Sequence, residues 1–117
     1  MRHSGFTILI GLMLPLIMAT SISAKQRTLH ELVDAYFEDY FKANPTQATS
    51  VGFHQYDHQL EDFSLAAHQR KRLKLLAYLK EFQAINPRTL LQNDRDDREI
   101  MIASIQSILL EEDHVQM

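Results

Sequence analysis

Two Asn-Pro steps, Asn44-Pro45 and Asn86-Pro87, constrain this chain more than any other feature in it. Proline has no amide hydrogen to give a helix and disfavours helical geometry in the residue before it, so each step ends the helix that runs into it. Around these breaks glycine is scarce. Of three glycines, only Gly52 lies beyond residue 11. Apolar-polar alternation is missing and no glycine-bearing hairpin turn is available for strands. The chain therefore reads as all-α, with about three helices set apart by the two breaks.

The first helix is expected from Leu29 to Lys42. Thr28 is a good N-cap and Glu31 stands three residues on, the spacing of a capping box. Leu29, Leu32, Val33, Tyr36, Phe37 and Tyr40 recur at three- and four-residue steps and make one apolar stripe. After Asn44-Pro45, residues 46–51 suit a single short turn, with Gly52 as its left-handed C-cap. Residues 53–63 show no clean period and read as an ordered loop. Ser64 should cap a long helix running to about Ile85, with Leu65, Leu76 and Leu79 on one face and Leu75 and Phe82 beside them. A further helix is expected near Asp94, where Asp96, Asp97 and Glu99 complement the positive end of a helix dipole. Ile100, Met101, Ile102, Ala103, Ile105, Ile108, Leu109 and Leu110 then cover most of its circumference. A helix apolar on most sides expects protein on most sides, and two amphipathic partners do not surround it. The sequence thus predicts an incomplete part of a larger helical fold, whose open helix at 100–110 would meet the missing C-terminal part or another protein.

The start of the chain has the three parts of a secretory signal peptide. Arg2 and His3 precede the apolar run FTILIGLMLPLIM, and small and polar residues, ATSISA, follow. Cleavage is expected after Ala24, with Ser23 as the alternative, giving a signal peptide over 1–24 and a truncated helical segment over 25–117. A retained anchor is the competing reading, but Pro15 and the polar tail argue against a stable membrane span. The chain has no cysteine, which removes disulfides, thiolate metal sites and cysteine nucleophiles, and suits a periplasmic or secreted location. Without Arg2, the 12 basic side chains fall to 11 against 15 acidic ones, a net charge of about −4 with histidine neutral. Nucleic acid, which selects a basic face, is not an expected partner.

Several clusters invite a chemical reading. His30-Glu31-Leu32-Val33-Asp34 has a superficial likeness to a zinc-peptidase HExxH, but Leu32 and Val33 belong to the core stripe, which turns His30, Asp34 and Glu38 to solvent. His54, Asp57 and His58, with Asp62 four residues on, include competent metal ligands, yet a loop imposes no convergence and these are ordinary turn residues. The basic run from His68 to Leu75 reads as a solvated helix face. The acidic run NDRDDRE lacks the spacing of a calcium loop and reads as a helix start. With Gly52 alone, no glycine-rich phosphate cradle can form, and no GxSxG elbow exists. No self-sufficient catalytic centre and no metal site emerge.

Taken in order, YFEDYFKANP, TQATSVGFHQYDHQLEDFS, AINP and DRDDREI resemble the N-terminal region of a bacterial family catalogued as domain of unknown function 885. The shared elements are Asn44-Pro45-Thr46, Ala48-Thr49, Gly52, His54, Tyr56-Asp57, Leu60, Asp62 and Ser64. The resemblance implies a largely helical, exported, metal-dependent hydrolase similar to zinc metallopeptidases, several times longer than this chain. Its zinc motif, an HExxxGH-like segment in the C-terminal half, has no counterpart here. Under this resemblance Asn44, Pro45, Thr46, Ala48, Thr49 and Gly52 form the structural motif. Our own reading adds His54, Tyr56 and Asp57 as residues that could contact substrate or orient ligands in a cleft shared with the missing part. The alternative function is a self-standing periplasmic helical protein that binds a partner; a weaker third is a small zinc protein using His54 and His58.

Overall fold

The computed structural model describes residues 24–115. The expected signal segment lies outside them except for Ala24. Helix α1 (Leu29–Ala43) opens on the expected capping box: Thr28 Oγ1 accepts from the Glu31 amide at 3.3 Å, and Glu31 Oε2 accepts from the Thr28 amide at 2.8 Å. It closes at Asn44, whose amide and side chain both donate to the Tyr40 carbonyl, at 2.9 and 2.8 Å. Pro45 then becomes the first residue of a new helix, α2 (Pro45–Ser50), a position where the missing amide hydrogen costs nothing. The same proline ends one helix and begins another.

A 3-10 turn at His54–Tyr56 and an irregular stretch lead to α3 (Leu65–Ala84), capped by Ser64 Oγ accepting from the Ala67 amide at 3.2 Å. A second 3-10 turn, Pro87–Thr89, is held by Asn86 Oδ1, which accepts from the Arg88 amide at 3.0 Å. Helix α4 (Gln92–Val115) begins two residues before the expected Asp94, which falls in its first turn. The described residues thus form an all-α fold of four helices with no strand, the short α2 being the turn expected at 46–51.

The core is built from three stripes, each stepping by three or four residues: Leu29, Leu32 and Tyr36 on α1; Leu75, Tyr78 and Phe82 on α3; Met101, Ile105 and Leu109 on α4. Phe82 and Ile105 are completely buried. The arrangement is antiparallel at both seams. Arg27 forks onto Glu81 at 2.6 and 3.0 Å while Lys74 reaches Asp39 at 3.1 Å, which runs α1 against α3. Arg72 meets Asp113 at 2.6 Å at one end of α4 while Arg98 meets the end of α3 at the other.

One expectation needs correcting. Leu65 and Leu76 do not form the buried face of α3; they are 68% and 42% exposed. The buried stripe lies one step round the helix, on Tyr78. This tyrosine can go inside because its hydroxyl donates to Asp39 Oδ2 at 2.6 Å, with the Ala35 carbonyl 3.0 Å away, and its ring meets Tyr36 edge to face at 5.4 Å. On α4, Met101, Ile105 and Leu109 are buried, and Ile102 and Ile108 pack beside them. Ile100 and Leu110 are 60% and 61% exposed, so the apolar circumference is covered on one side only. No helix among the described residues is long and apolar enough to cross a membrane.

Arg98, drawn from the acidic run, is the one buried charged residue among those described. Its Nε and Nη2 donate to the Phe82 and Gln83 carbonyls at 3.0 and 3.1 Å, and Nη1 pairs with Glu99. The last carbonyls of a helix lack partners within it, and a cation there also suits the dipole. Arg98→Met should therefore cost roughly 1.5–3 kcal/mol, the range for hydrogen bonds to a charged group. Phe82→Ala should cost roughly 3–5 kcal/mol through lost burial and a cavity. Urea unfolding followed by circular dichroism measures both; an Arg98→Met change below about 0.5 kcal/mol would show that the guanidinium caps nothing.

Candidate functional site

The segment that carries the proposed site residues is a short helix strapped by two carboxylates. Helix α2 ends in a pair of reversed hydrogen bonds: Phe53 N–H donates to the Ala48 carbonyl at 2.8 Å and Gly52 N–H to the Thr49 carbonyl at 3.1 Å. This is a Schellman closure, which needs a left-handed residue at its turn. Gly52 supplies it with φ +91°, and a side chain there would be strained. Ala48 is fully buried, and Phe53 lies against Phe41 with centroids 5.0 Å apart.

Asp57 then reaches back to α2. Thr49 Oγ1 donates to Asp57 Oδ1 at 2.6 Å; the Pro45 carbonyl lies 3.1 Å from the same hydroxyl, but its single proton favours the charged acceptor. Nδ1 of His54 stands 3.0 Å from Asp57 Oδ2, and since an ionised carboxylate only accepts, Nδ1 carries the proton. The Thr49 hydrogen bond is the largest influence on the Asp57 carboxyl; burial opposes it, and the weaker contact with His54 adds to it, so the pKa stays below its ordinary value. Tyr56, half-buried, contributes its carbonyl to the Gln59 amide at 2.9 Å.

Glu61 secures the other end. Its Oε1 accepts from the Thr46 amide at 3.0 Å and its Oε2 from the Thr46 hydroxyl at 2.7 Å. Asn44, the N-cap of α2, makes no side-chain capping bond, so Glu61 caps the helix from 15 residues away. Those hydrogen bonds lower the Glu61 pKa, and Asp62 is lowered likewise by the Ser64 amide, which donates at 2.9 Å. Sequence reasoning missed Glu61, because its partner becomes apparent only after the loop folds back.

The other clusters resolve into internal contacts. His30 lies 3.5 Å from Asp94 on α4. The basic run on α3 pairs residue by residue: Arg70 with Asp62 at 3.5 Å, Lys71 with Glu112 at 2.7 Å, Arg72 with Asp113 and Lys74 with Asp39. It bridges to both neighbouring helices as well as facing solvent. Among the described residues, no three His, Asp or Glu side chains converge as metal donors. Both oxygens of Asp57 already accept hydrogen bonds, from Thr49 Oγ1 and His54 Nδ1.

A cleft of about 480 Å³ opens between the C-terminal half of α1 and the N-terminal half of α3, with residues 59–63 along its edge. His54, Tyr56 and Asp57 do not line it. Its floor contains Tyr36, Tyr40, Leu75 and Tyr78. Burial first, then the hydrogen bond to Asp39, pushes the Tyr78 pKa up to about 12. Burial works to raise the Asp39 pKa too, but the bonds from Tyr78 and Lys74 outweigh it and leave that carboxyl below its usual range. The two groups drift apart in pKa, so near neutral pH they form a fixed hydrogen bond and do not exchange a proton.

No family model matches the chain, and no curated protein and no solved structure matches it.

The strap gives a pH prediction. Asp57 has a folded pKa below its unfolded value, so its contribution to loop stability is fully present above about pH 4 and is lost as pH falls through the lower folded value. In a carboxyl-carbon NMR titration, Thr49→Val should move the Asp57 midpoint upwards towards the ordinary value. An unchanged midpoint would show that the hydroxyl does not hold the carboxylate.

Proposed function

We propose that this chain is the N-terminal helical segment of a larger exported, metal-dependent hydrolase of the metallopeptidase type, and that it supplies scaffold to that protein while its catalytic zinc centre lies elsewhere. The observation that carries this reading is the apolar surface that α3 and α4 leave open. Leu73 and Leu76 on α3, and Ile100 and Leu110 on α4, are each between 42% and 67% exposed. The ion pair Arg72–Asp113 puts Leu73 and Leu110 at the same level of the antiparallel pair. These exposed apolar side chains on two adjoining helices support the reading that other protein covers this side.

The loop supports the same division of labour. Pro45 starts a helix, Thr46 and Thr49 bind the straps, Ala48 is buried and Gly52 turns the chain, so the motif residues act on the fold. His54 and Asp57 contact each other first, and any role for them or Tyr56 towards substrate is that of positioning groups at the edge of a centre built by other residues. A second reading, a self-standing helical protein that binds a partner, rests on the open stripe of α4 alone.

Reading the coding sequence past the Met117 codon separates the two. Continuing helical sequence that includes an HExxxGH-type segment is the expected result; a stop codon followed by unrelated sequence would contradict the segment reading. In the purified chain, apolar dye fluorescence should be high and should fall in an Ile100→Ser, Leu110→Ser double variant without loss of melting temperature. Sharp cooperative melting of a monomer with no dye binding would show that the surface is too small to need a cover.

A further inference from the structure

We infer that the outward face of α4 is a self-pairing surface, on which a second copy of this chain lies antiparallel across a two-fold axis. Along that face Asp96, Ile100, Ala103, Ser107, Leu110 and His114 follow one another at steps of four, three, four, three and four. This is the repeat that keeps a seam on one side of a helix. All six residues are exposed, while Ile105, on the opposite side of α4, is buried in the core. Their order selects the occupant, because it is symmetric about residue 105. Turned end for end, Ile100 meets Leu110 of the second copy, Ala103 meets Ser107, and Asp96 meets His114. A two-fold contact requires such self-complementarity, since each pairing occurs twice. The large side chains, 60% and 61% exposed at Ile100 and Leu110, flank two small ones at the crossing, where the helices can approach closely.

Charge favours the same direction. Asp96 accepts from Gln92 Nε2 at 2.8 Å and makes no ion pair among the described residues. Nδ1 of His114 lies 3.0 Å from the Leu110 carbonyl, which only accepts, so Nε2 is the nitrogen left to meet Asp96 of the second copy, as a donor when the ring is protonated. The flanks oppose pairing: Asp97 comes near Glu111 of the second copy, and Glu99 near Asp113. Glu99 and Asp113 are already paired with Arg98 and Arg72, which leaves Asp97 and Glu111 as the repulsive contact. A parallel pair would set Asp96 against Asp96 and His114 against His114, with no attraction at either end. One helix crossing buries less than the roughly 1,200 Å² of stable complexes, so the dimer is weak, with a dissociation constant on the order of 10–100 µM. The inference rests on the reading that other protein covers this side, and it names the cover of α4.

Sedimentation equilibrium of the purified protein should show monomer and dimer in exchange, with apolar dye fluorescence per chain falling as the dimer fills. Ile100→Ser with Leu110→Ser should leave only monomer. As the chain has no cysteine, substitutions can report direction: Ala103→Cys chains mixed with Ser107→Cys chains should cross-link to each other several-fold faster than either does to itself. Asp96→Lys with His114→Lys should weaken the dimer about fivefold or more, although it removes negative charge, whereas the exchange Asp96→Lys with His114→Asp should retain it. A monomer throughout the millimolar range that still binds dye would overturn the dimer and leave the larger-protein reading standing; a monomer that binds no dye would overturn both. A dimer that survives Ile100→Ser with Leu110→Ser, or single cysteine variants that link to themselves as fast as the mixture, would place the contact elsewhere and overturn the inference.

Discussion

Phe82 is the point on which the three long helices close. It is the last residue of the α3 stripe, fully buried in the core that also holds Leu29, Leu32 and Tyr36 of α1 and Met101, Ile105 and Leu109 of α4. A thin core has few such contacts, so burying one large ring on all sides decides how the helices approach. The polar groups around it follow that approach. Arg98 can reach the Phe82 and Gln83 carbonyls because α4 packs where those carbonyls emerge. The ion pairs along both seams sit at partly exposed edges, where they fix register more than they add stability.

Away from Phe82 the bundle opens. No residue of α1 beyond Tyr36 is buried, and none of α3 before Leu75. The helices lack apolar cause to stay together there, and the cleft fills the gap. The loop that edges it has no buried apolar anchor past Ala48, so charge takes over: Asp57 holds the end of α2, Glu61 its start, and Asp62 the entry to α3. Packing governs one end of the molecule and ionised carboxylates the other, and the second end is the one sensitive to acid.

The features legible from the sequence were those with local causes. Thr28 with Glu31, Ser64, Pro45 and Gly52 act on residues within about one turn, and each took the role that its type and spacing indicated. The buried face of α3 was illegible, because leucines at 65, 73, 75, 76 and 79 surround that helix and hydrophobicity alone does not rank its faces. What chose the face was a polar fact, the hydroxyl of Tyr78 finding Asp39. Arg98 and Glu61 were missed for a related reason: each caps a helix from 15 or 16 residues away, so its partner exists only once the chain has turned back. At the candidate site, the closeness of His54 to Asp57 follows from a three-residue step, whereas the engagement of Asp57 with Thr49 depends on α2 forming first.

Residues 44–64 form a folded strap held by the hydrogen bonds of Glu61 to Thr46, Asp57 to Thr49 and Phe53 to Ala48. Amide hydrogen exchange of the purified protein near neutral pH tests it most directly. The Phe53 amide, bonded to Ala48, and the Thr46 amide, bonded to Glu61, should exchange far more slowly than an unstructured chain. Exchange of both at unstructured rates, with α1 and α3 still protected, would mean that the carboxylates hold nothing and that the loop is not part of the fold.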